Sequence, residues 1–471
     1  VETMRLLVDM FPCQTYSRMR GIGRYTLSLT REMARLRAEN EMVTLVDALY
    51  PERVEELRQI FVSLLPAGAF LPYYHNSLEN APWLTPHPHS DMAEALIEQA
   101  YQVVSPDVVL TPSLFEGWGG GTHGKVPLPD KKYPNQQRAV ILYDIIPLVF
   151  QKQYLDPDPL LKKWYLERIE MLQNYDLLLA ISEATRQDAI KILGLNPNKV
   201  INISGAASSH FQKLELSEQQ KQKYLNRFGI SRPFVLYLGG NDFRKNMDGA
   251  LRAFAKLPPE TIRKHQLVLN DVGDETFFRS KARKLGLDDS DLVVFKRATD
   301  DELAALYNLS KVFVFPSFYE GFGLPVLEAM SCGTAVLASD NSSLPEVVGR
   351  EDALFDVNDE QEIVDSINRV LTDDAFRADL AAYGLQRAKK FSWRISAQRA
   401  WRAIENLVKQ KHSLEKEHHA SITVKPRNRI AYISPLPPQK SGIAEYSADF
   451  FPYLSAYFDI DLFIQQQLQV S

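Results

Sequence analysis

Cysteine is almost missing from this chain: Cys13 and Cys332 are the two in 471 residues. So distant a pair makes neither a metal cluster nor a disulfide framework, and its rarity points to a reducing, cytoplasmic compartment. Long apolar runs are missing as well. The nearest, Ala139 to Phe150, is interrupted by Asp144 and Pro147, well short of the roughly eighteen residues that a membrane span requires. There is no surplus of positive charge either. The 54 Lys and Arg stand against 59 Asp and Glu, for a net charge of −5, and without a basic stripe nucleic acid is not an expected partner. The polar start Val1-Glu2-Thr3-Met4 leads straight into a strand-like run, which reads as no secretory leader and Met4 as the natural first residue.

What is present suits a chain with two or three cored domains: 45% hydrophobic and 24% charged residues. Apolar strand-like runs such as Met42 to Val46, Asp107 to Thr111, Ala139 to Tyr143 and Leu177 to Ile181 alternate with helical patterns. That alternation predicts an α/β fold with parallel sheets.

The stretch Val312 to Glu328 organises the rest. Val312 to Phe315 reads as a buried strand, followed by a glycine-rich loop and a helix with Pro325 in its first turn, where a missing amide is tolerated. The opening amides of Phe322, Gly323 and Leu324 find no partner inside such a helix. They point beyond the strand's carboxyl end, where open α/β sheets place ligands. Glu320 and Glu328 bracket these donors. Carboxylates repel phosphate, so amides and acids together suit a ligand with both an anionic part and hydroxyls. A nucleotide-sugar has both.

Two other strand ends carry the same signature. Phe234 to Leu238 runs into Gly239 and Gly240, which let the backbone approach a ligand closely. Arg244 and Lys245 follow; a guanidinium fork beside an ammonium can neutralise a diphosphate without metal. After the strand Arg5 to Met10, Gly21-Ile22-Gly23 opens an amphipathic helix to about Ala38. A dinucleotide fingerprint would need a third glycine where Thr26 stands, which disfavours a nicotinamide site. Asp144 ends the strand Ala139 to Tyr143, either facing the cleft or capping the next turn. Lys296 and Arg297, at the end of Asp291 to Phe295, are placed near a nucleoside base. Ser182 reads as a helix cap. The loop containing Gly117 to Gly124 is either an acceptor lid or a surface excursion.

Glu-Gly-Phe-Gly-Leu-Pro-Val-Leu-Glu-Ala-Met, followed by Cys332 to Val336, resembles the donor-site motif of retaining glycosyltransferase family 4. The resemblance implies the GT-B fold, two Rossmann-like domains facing across a cleft. It gives Glu320 the transferred sugar, Glu328 the nucleoside ribose, Arg244 and Lys245 the donor diphosphate, and Gly21, Ile22 and Gly23 an approach from the first domain. It implies no metal and no cofactor beyond the sugar-nucleotide substrate. Relatives often read His-Asp at the position where this chain has Tyr143-Asp144, so a scheme using that histidine does not carry over.

The expected domains are 4–212, acceptor side; 213–390, donor side; 391–412, a helix crossing back to the first domain; 413–428, a linker; and 429–471, the start of a second module. The last follows from a repeat. Arg429 to Ile433 and then Gly442-Ile443-Ala444-Glu445-Tyr446 restate the opening plan of Arg5, apolar strand and Gly21 to Tyr25. Tandem modules, with Gln14-Thr15 and Arg20 to Tyr25, are similar to bacterial O-antigen mannosyltransferases. That similarity implies GDP-mannose as donor, a glycan or lipid-linked oligosaccharide as acceptor, and possible peripheral attachment to the cytoplasmic face of the inner membrane. UDP- and dTDP-sugars, and a non-catalytic scaffold, are the alternatives. A metal-dependent transferase would need an Asp-x-Asp, and Asp156-Pro157-Asp158 and Asp289-Ser290-Asp291 have the letters but fall in loops.

Overall fold

A computed structural model describes residues 3–19, 21–48, 50–73, 100–116, 136–418, 428–435, 441–455 and 457–463. The loop at 117–124 lies outside these residues, as does most of Asp91 to Val103, a run that also reads as helix in the sequence.

Runs such as Leu177–Ala180, Phe234–Tyr237 and Val312–Phe315 are apolar at every position and buried at every position. That is the pattern of strands covered on both faces, and it forces parallel pairing with crossover helices. Seven strands form the first sheet: β1 (Arg5–Asp9), β2 (Glu41–Asp47), β3 (Phe70–Tyr73), β4 (Val108–Thr111), β5 (Gln137–Leu142), β6 (Leu177–Ala180) and β7 (Val200–Asn202). Their order is β3-β2-β1-β4-β5-β6-β7, every pair parallel. The second sheet holds β8 (Phe234–Tyr237), β9 (Gln266–Asn270), β10 (Leu292–Phe295), β11 (Val312–Phe315), β12 (Val336–Ser339) and β13 (Leu354–Phe355), in the order β10-β9-β8-β11-β12-β13.

Both sheets are doubly wound, and strand order reverses between β1 and β4 in the first and between β8 and β11 in the second. Ligands bind outside such switch points. The loops after β8 and β11 carry Arg244, Lys245 and Glu320, so the topology alone brings them together.

Strand β3 was not anticipated. Four residues containing Pro72 make a weak signal, and the strand sits at the sheet edge, where a missing amide is tolerated. The helix Trp393–His418 packs back on the helix Gly21–Leu36, with Trp401 Nε1 donating to Met33 O at 3.0 Å. It runs past 412 into the stretch expected as linker, because Ser413 to His418 contain no helix breaker.

Beyond it, β14 (Arg429–Ile433) and β15 (Asp459–Phe463) pair in parallel across the helix Gly442–Ser455. The repeat therefore folds as a strand–helix–strand unit. Its Ile433, Tyr446 and Tyr453 are exposed.

Candidate active site

A cavity of about 1090 Å³ lies between the carboxyl ends of the two sheets. The loop after β8 leads to its donor wall. Gly240 adopts φ +64°, and the amides of Gly239 and Gly240 converge on Asn270 Oδ1 at 2.9 and 3.4 Å. A short 3₁₀ turn, Phe243–Lys245, then delivers Arg244 and Lys245, and Asn246 at φ +52° caps the next helix.

From the other side of the switch point, Ser317 to Glu320 leave β11. Glu320 is 5% exposed and grips both cations: its Oε2 lies 2.7 Å from Arg244 Nη1 and its Oε1 lies 2.5 Å from Lys245 Nζ. Ser317 Oγ also donates to Oε1 at 2.7 Å. The sequence suggested separate roles for these three residues. The fold joins them in one cluster carrying two positive charges against one negative.

Burial alone would raise the Glu320 carboxyl, but Lys245 and Arg244 outweigh it and hold it below the usual carboxylate range. Burial pulls Lys245 below the usual ammonium value, with Glu320 opposing and Arg244 adding to the fall. Burial also works against the Arg244 charge, yet Glu320 and Asp242 keep that guanidinium firmly protonated.

The helix Leu324–Ser331 starts where expected, with Gly323 as its cap at φ +97° and Pro325 in the first turn. A β-carbon on Gly323 would meet Leu344 Cδ2 at 2.7 Å, in a backbone region that side chains rarely adopt. The amides of Phe322, Gly323 and Leu324 have no acceptor among the described residues, and all three residues line the cavity. Glu328, one turn on, lines it too. Tyr307 Oη donates to Glu328 at 3.2 Å. Burial raises the Glu328 carboxyl to about 7, against the pull of Arg24 and Tyr307.

On the first-domain wall, Gly21 and Ile22 line the cavity, whereas Gly23 does not. A β-carbon there would lie 2.4 Å from Arg18 Cα and 2.5 Å from Ser17 O, so Gly23 is a packing glycine under the loop. Asp144 fulfils both of its readings. Its Oδ1 accepts from the Ile146 amide at 3.1 Å, and its side chain lines the cavity with its pKa raised by burial. Gly240 and Arg297 are not on the cavity wall; Arg297 is exposed beyond β10.

Other residues of the cleft were not singled out from sequence. Arg24 pairs with Asp300 across it. Thr185 Oγ1 lies 2.9 Å from Tyr143 O and 3.2 Å from Gly321 O, bridging the domains at the motif loop. Tyr319 Oη donates to the Asp188 carboxylate at 2.8 Å, Tyr154 Oη to Asp242, and the Glu183 amide to Glu346 Oε2 at 2.8 Å. The two Asp-x-Asp sequences serve other purposes. Asp158 caps the helix Pro159–Met171 and Asp156 pairs with Lys162, while Asp289 pairs with Arg283 and Asp291 with Arg232.

Comparison with known proteins agrees with this geometry. The family described as glycosyl transferases group 1 matches residues 218–387, the donor-side domain. The serotype-specific mannosyltransferase WbdA of Escherichia coli is 32% identical over 430 residues, 89% of this chain and 50% of that protein. The O-antigen chain mannosyltransferase B of Escherichia coli is 28% identical over 387 residues, 79% of this chain and 92% of that protein. The chain thus spans about half the length of the first relative. Among solved structures, a glycosyltransferase from Rickettsia africae superposes with a TM-score of 0.60 at 15% identity, covering 87% of this chain and 100% of that one.

Proposed function

We propose, from the premise that the chain carries a group 1 glycosyl transferase domain on a GT-B fold, that it transfers a mannosyl residue from GDP-mannose to a hydroxyl of a growing cell-surface glycan. The names of its relatives support the sugar. The observation that carries the chemistry is the buried Arg244–Lys245–Glu320 cluster opposite three amides without an acceptor among the described residues.

In this reading the donor diphosphate lies between Arg244, Lys245 and the amides of Phe322, Gly323 and Leu324. As the bond from the anomeric carbon to the phosphate oxygen breaks, charge grows on the leaving phosphate. The cationic pair stabilises that state more than the ground state. The acceptor oxygen bonds to the anomeric carbon from the face the phosphate leaves, and its proton passes to a phosphate oxygen. Glu328 receives the ribose hydroxyls, and the walls supplied by Asp144 and Tyr143 keep water from competing for the sugar. The module begun at β14 continues as a second transferase, and the chain works on the cytoplasmic face of a membrane. None of its described helices is long and apolar enough to cross one.

Thermal-shift titration with GDP, UDP, dTDP and ADP tests the donor, since a ligand held only by the folded state raises the melting temperature. GDP should give the largest rise. A larger rise with UDP overturns the donor and spares the transferase reading; a Lys245→Met variant that still forms product at the wild-type rate overturns the chemistry.

A further inference from the structure

Strand β4 flanks the switch point of the first sheet, opposite β1, and Glu116 lies in the loop that follows it. Glu116 lines the same cavity as Lys245 and Glu320, yet the transfer chemistry above makes no use of it. It is 9% exposed. Thr15 Oγ1 donates to its Oε2 at 3.0 Å, while its Oε1 is buried and has no hydrogen-bond partner among the described residues. Burial raises its pKa, opposed by the nearby hydroxyls of Ser17 and Thr15, of which only Thr15 meets hydrogen-bond geometry. Leaving a carboxylate oxygen dry and unpaired costs more than most folds tolerate, and a ligand hydroxyl would relieve it.

A second orphan lines the same cavity. Tyr165 is 5% exposed, and its hydroxyl also has no partner among the described residues. Its ring stacks on Phe115, the neighbour of Glu116, with centroids 4.8 Å apart and planes at 26°. Tyr50 and Tyr16 add two more ring surfaces to the cavity lining, the latter 74% exposed.

We infer that Glu116 and Tyr165 form the subsite for the terminal sugar of the acceptor, Glu116 accepting from one of its hydroxyls and Tyr165 bonding another. The inference rests on reading the cleft as a site of glycosyl transfer and adds the class of acceptor. Two unpaired polar oxygens beside aromatic faces match a ring that carries hydroxyls on its edge and C–H groups on its face. The two carboxylates of this wall, Glu116 and Asp144, favour a neutral sugar over a phosphorylated one.

The test uses the full chain, GDP-mannose as donor, and methyl α-glycosides of mannose, glucose and galactose as acceptor probes. Glu116→Gln keeps an oxygen for Thr15 and should raise the KM for the preferred glycoside about tenfold, with Tyr165→Phe raising it several-fold, as expected for one lost hydrogen bond each. Acceptor-free hydrolysis of the donor and the thermal shift with GDP should stay at wild-type values in both variants. Unchanged acceptor KM in both variants overturns the subsite, as does a parallel loss of hydrolysis and transfer, which marks a structural role. A wild-type protein with no GDP shift and no turnover of any sugar nucleotide removes the underlying transferase reading instead.

Discussion

Replacing Glu320 with Gln isolates the electrostatics of the donor site. The carboxylate is 5% exposed and shared by Arg244 at 2.7 Å and Lys245 at 2.5 Å. Glutamine has the same shape and can still accept one bond, but it leaves Lys245 without an ion-pair partner among the described residues and Arg244 with only Asp242, 3.2 Å from its Nε. Removing one partner of a buried ion pair costs about 3 kcal/mol or more. In a domain of ordinary size, that lowers the melting temperature by roughly 10 °C. The same variant should then respond to GDP with a larger thermal shift than the wild type. The nucleotide's phosphates supply the missing negative charge, and binding to the folded state alone adds directly to its stability. Differential scanning fluorimetry of both proteins, with and without saturating GDP, reads both quantities. A melting temperature within about 1 °C of wild type would refute the first step, since a buried pair of this kind cannot be lost silently. A GDP shift equal to or below that of the wild type would refute the second, by showing that the phosphates do not sit against Arg244 and Lys245.

Glu328 should impose a pH dependence. Its carboxyl is raised from 4.5 to about 7 in the folded chain, so between those values the folded state holds a proton that the unfolded state has lost. Stability therefore falls as pH rises through that window, and melting curves of Glu328→Gln should lack this component; an unchanged slope would be contrary. Gly323→Ala should cost about 2 kcal/mol, because φ +97° strains any side chain and the new β-carbon must push the Leu344 Cδ2 methyl aside, measurable as a lowered urea midpoint. Arg24→Ala should be nearly silent in stability, within about 1 kcal/mol, because the pair with Asp300 is 41% and 33% exposed; thermal melting checks it.

The donor half was legible in sequence because its signals are local. A strand that must be buried on both faces, a glycine that must turn, and a proline that marks a helix start lie within Val312 to Glu328, and each helix or strand formed where its residues called for it. Phe234 to Lys245 is legible for the same reason. Sequence is a weaker guide where a residue's placement depends on what packs above it. Gly23 and Gly21 look alike in sequence, but only the fold presses Gly23 against the backbone of Ser17 and Arg18. Arg297 lies at a strand's carboxyl end, as Asn270 does, yet β10 is the sheet edge while β9 is next to β8, so only Asn270 reaches the glycine turn. Glu116 has no flanking motif at all. Its signal is a missing partner, which exists only once Thr15 and Tyr165 have been brought to it from elsewhere in the chain.

The contacts between the two domains follow a related logic. Thr185 Oγ1 lies near carbonyls of both halves, Tyr319 reaches Asp188, Tyr154 reaches Asp242, and the Glu183 amide reaches Glu346. All are polar bonds involving side chains at the cleft, and each is worth only about 1 to 3 kcal/mol net because water replaces it when the cleft opens. Such bonds hold a closed arrangement without locking it. A buried apolar seam at the same place would oppose separation far more strongly, and substrate could then neither enter nor leave. The large apolar contact between the halves lies instead at the helix Trp393–His418, where Trp401, Ala397, Ala400 and Ile404 are buried against the first domain. Hydrophobic burial thus ties the domains at one end, while hydrogen bonds that water can exchange, joined by ring contacts of Phe150 with Phe243 and Tyr319, meet at the other, which is a distribution that suits a hinged cleft.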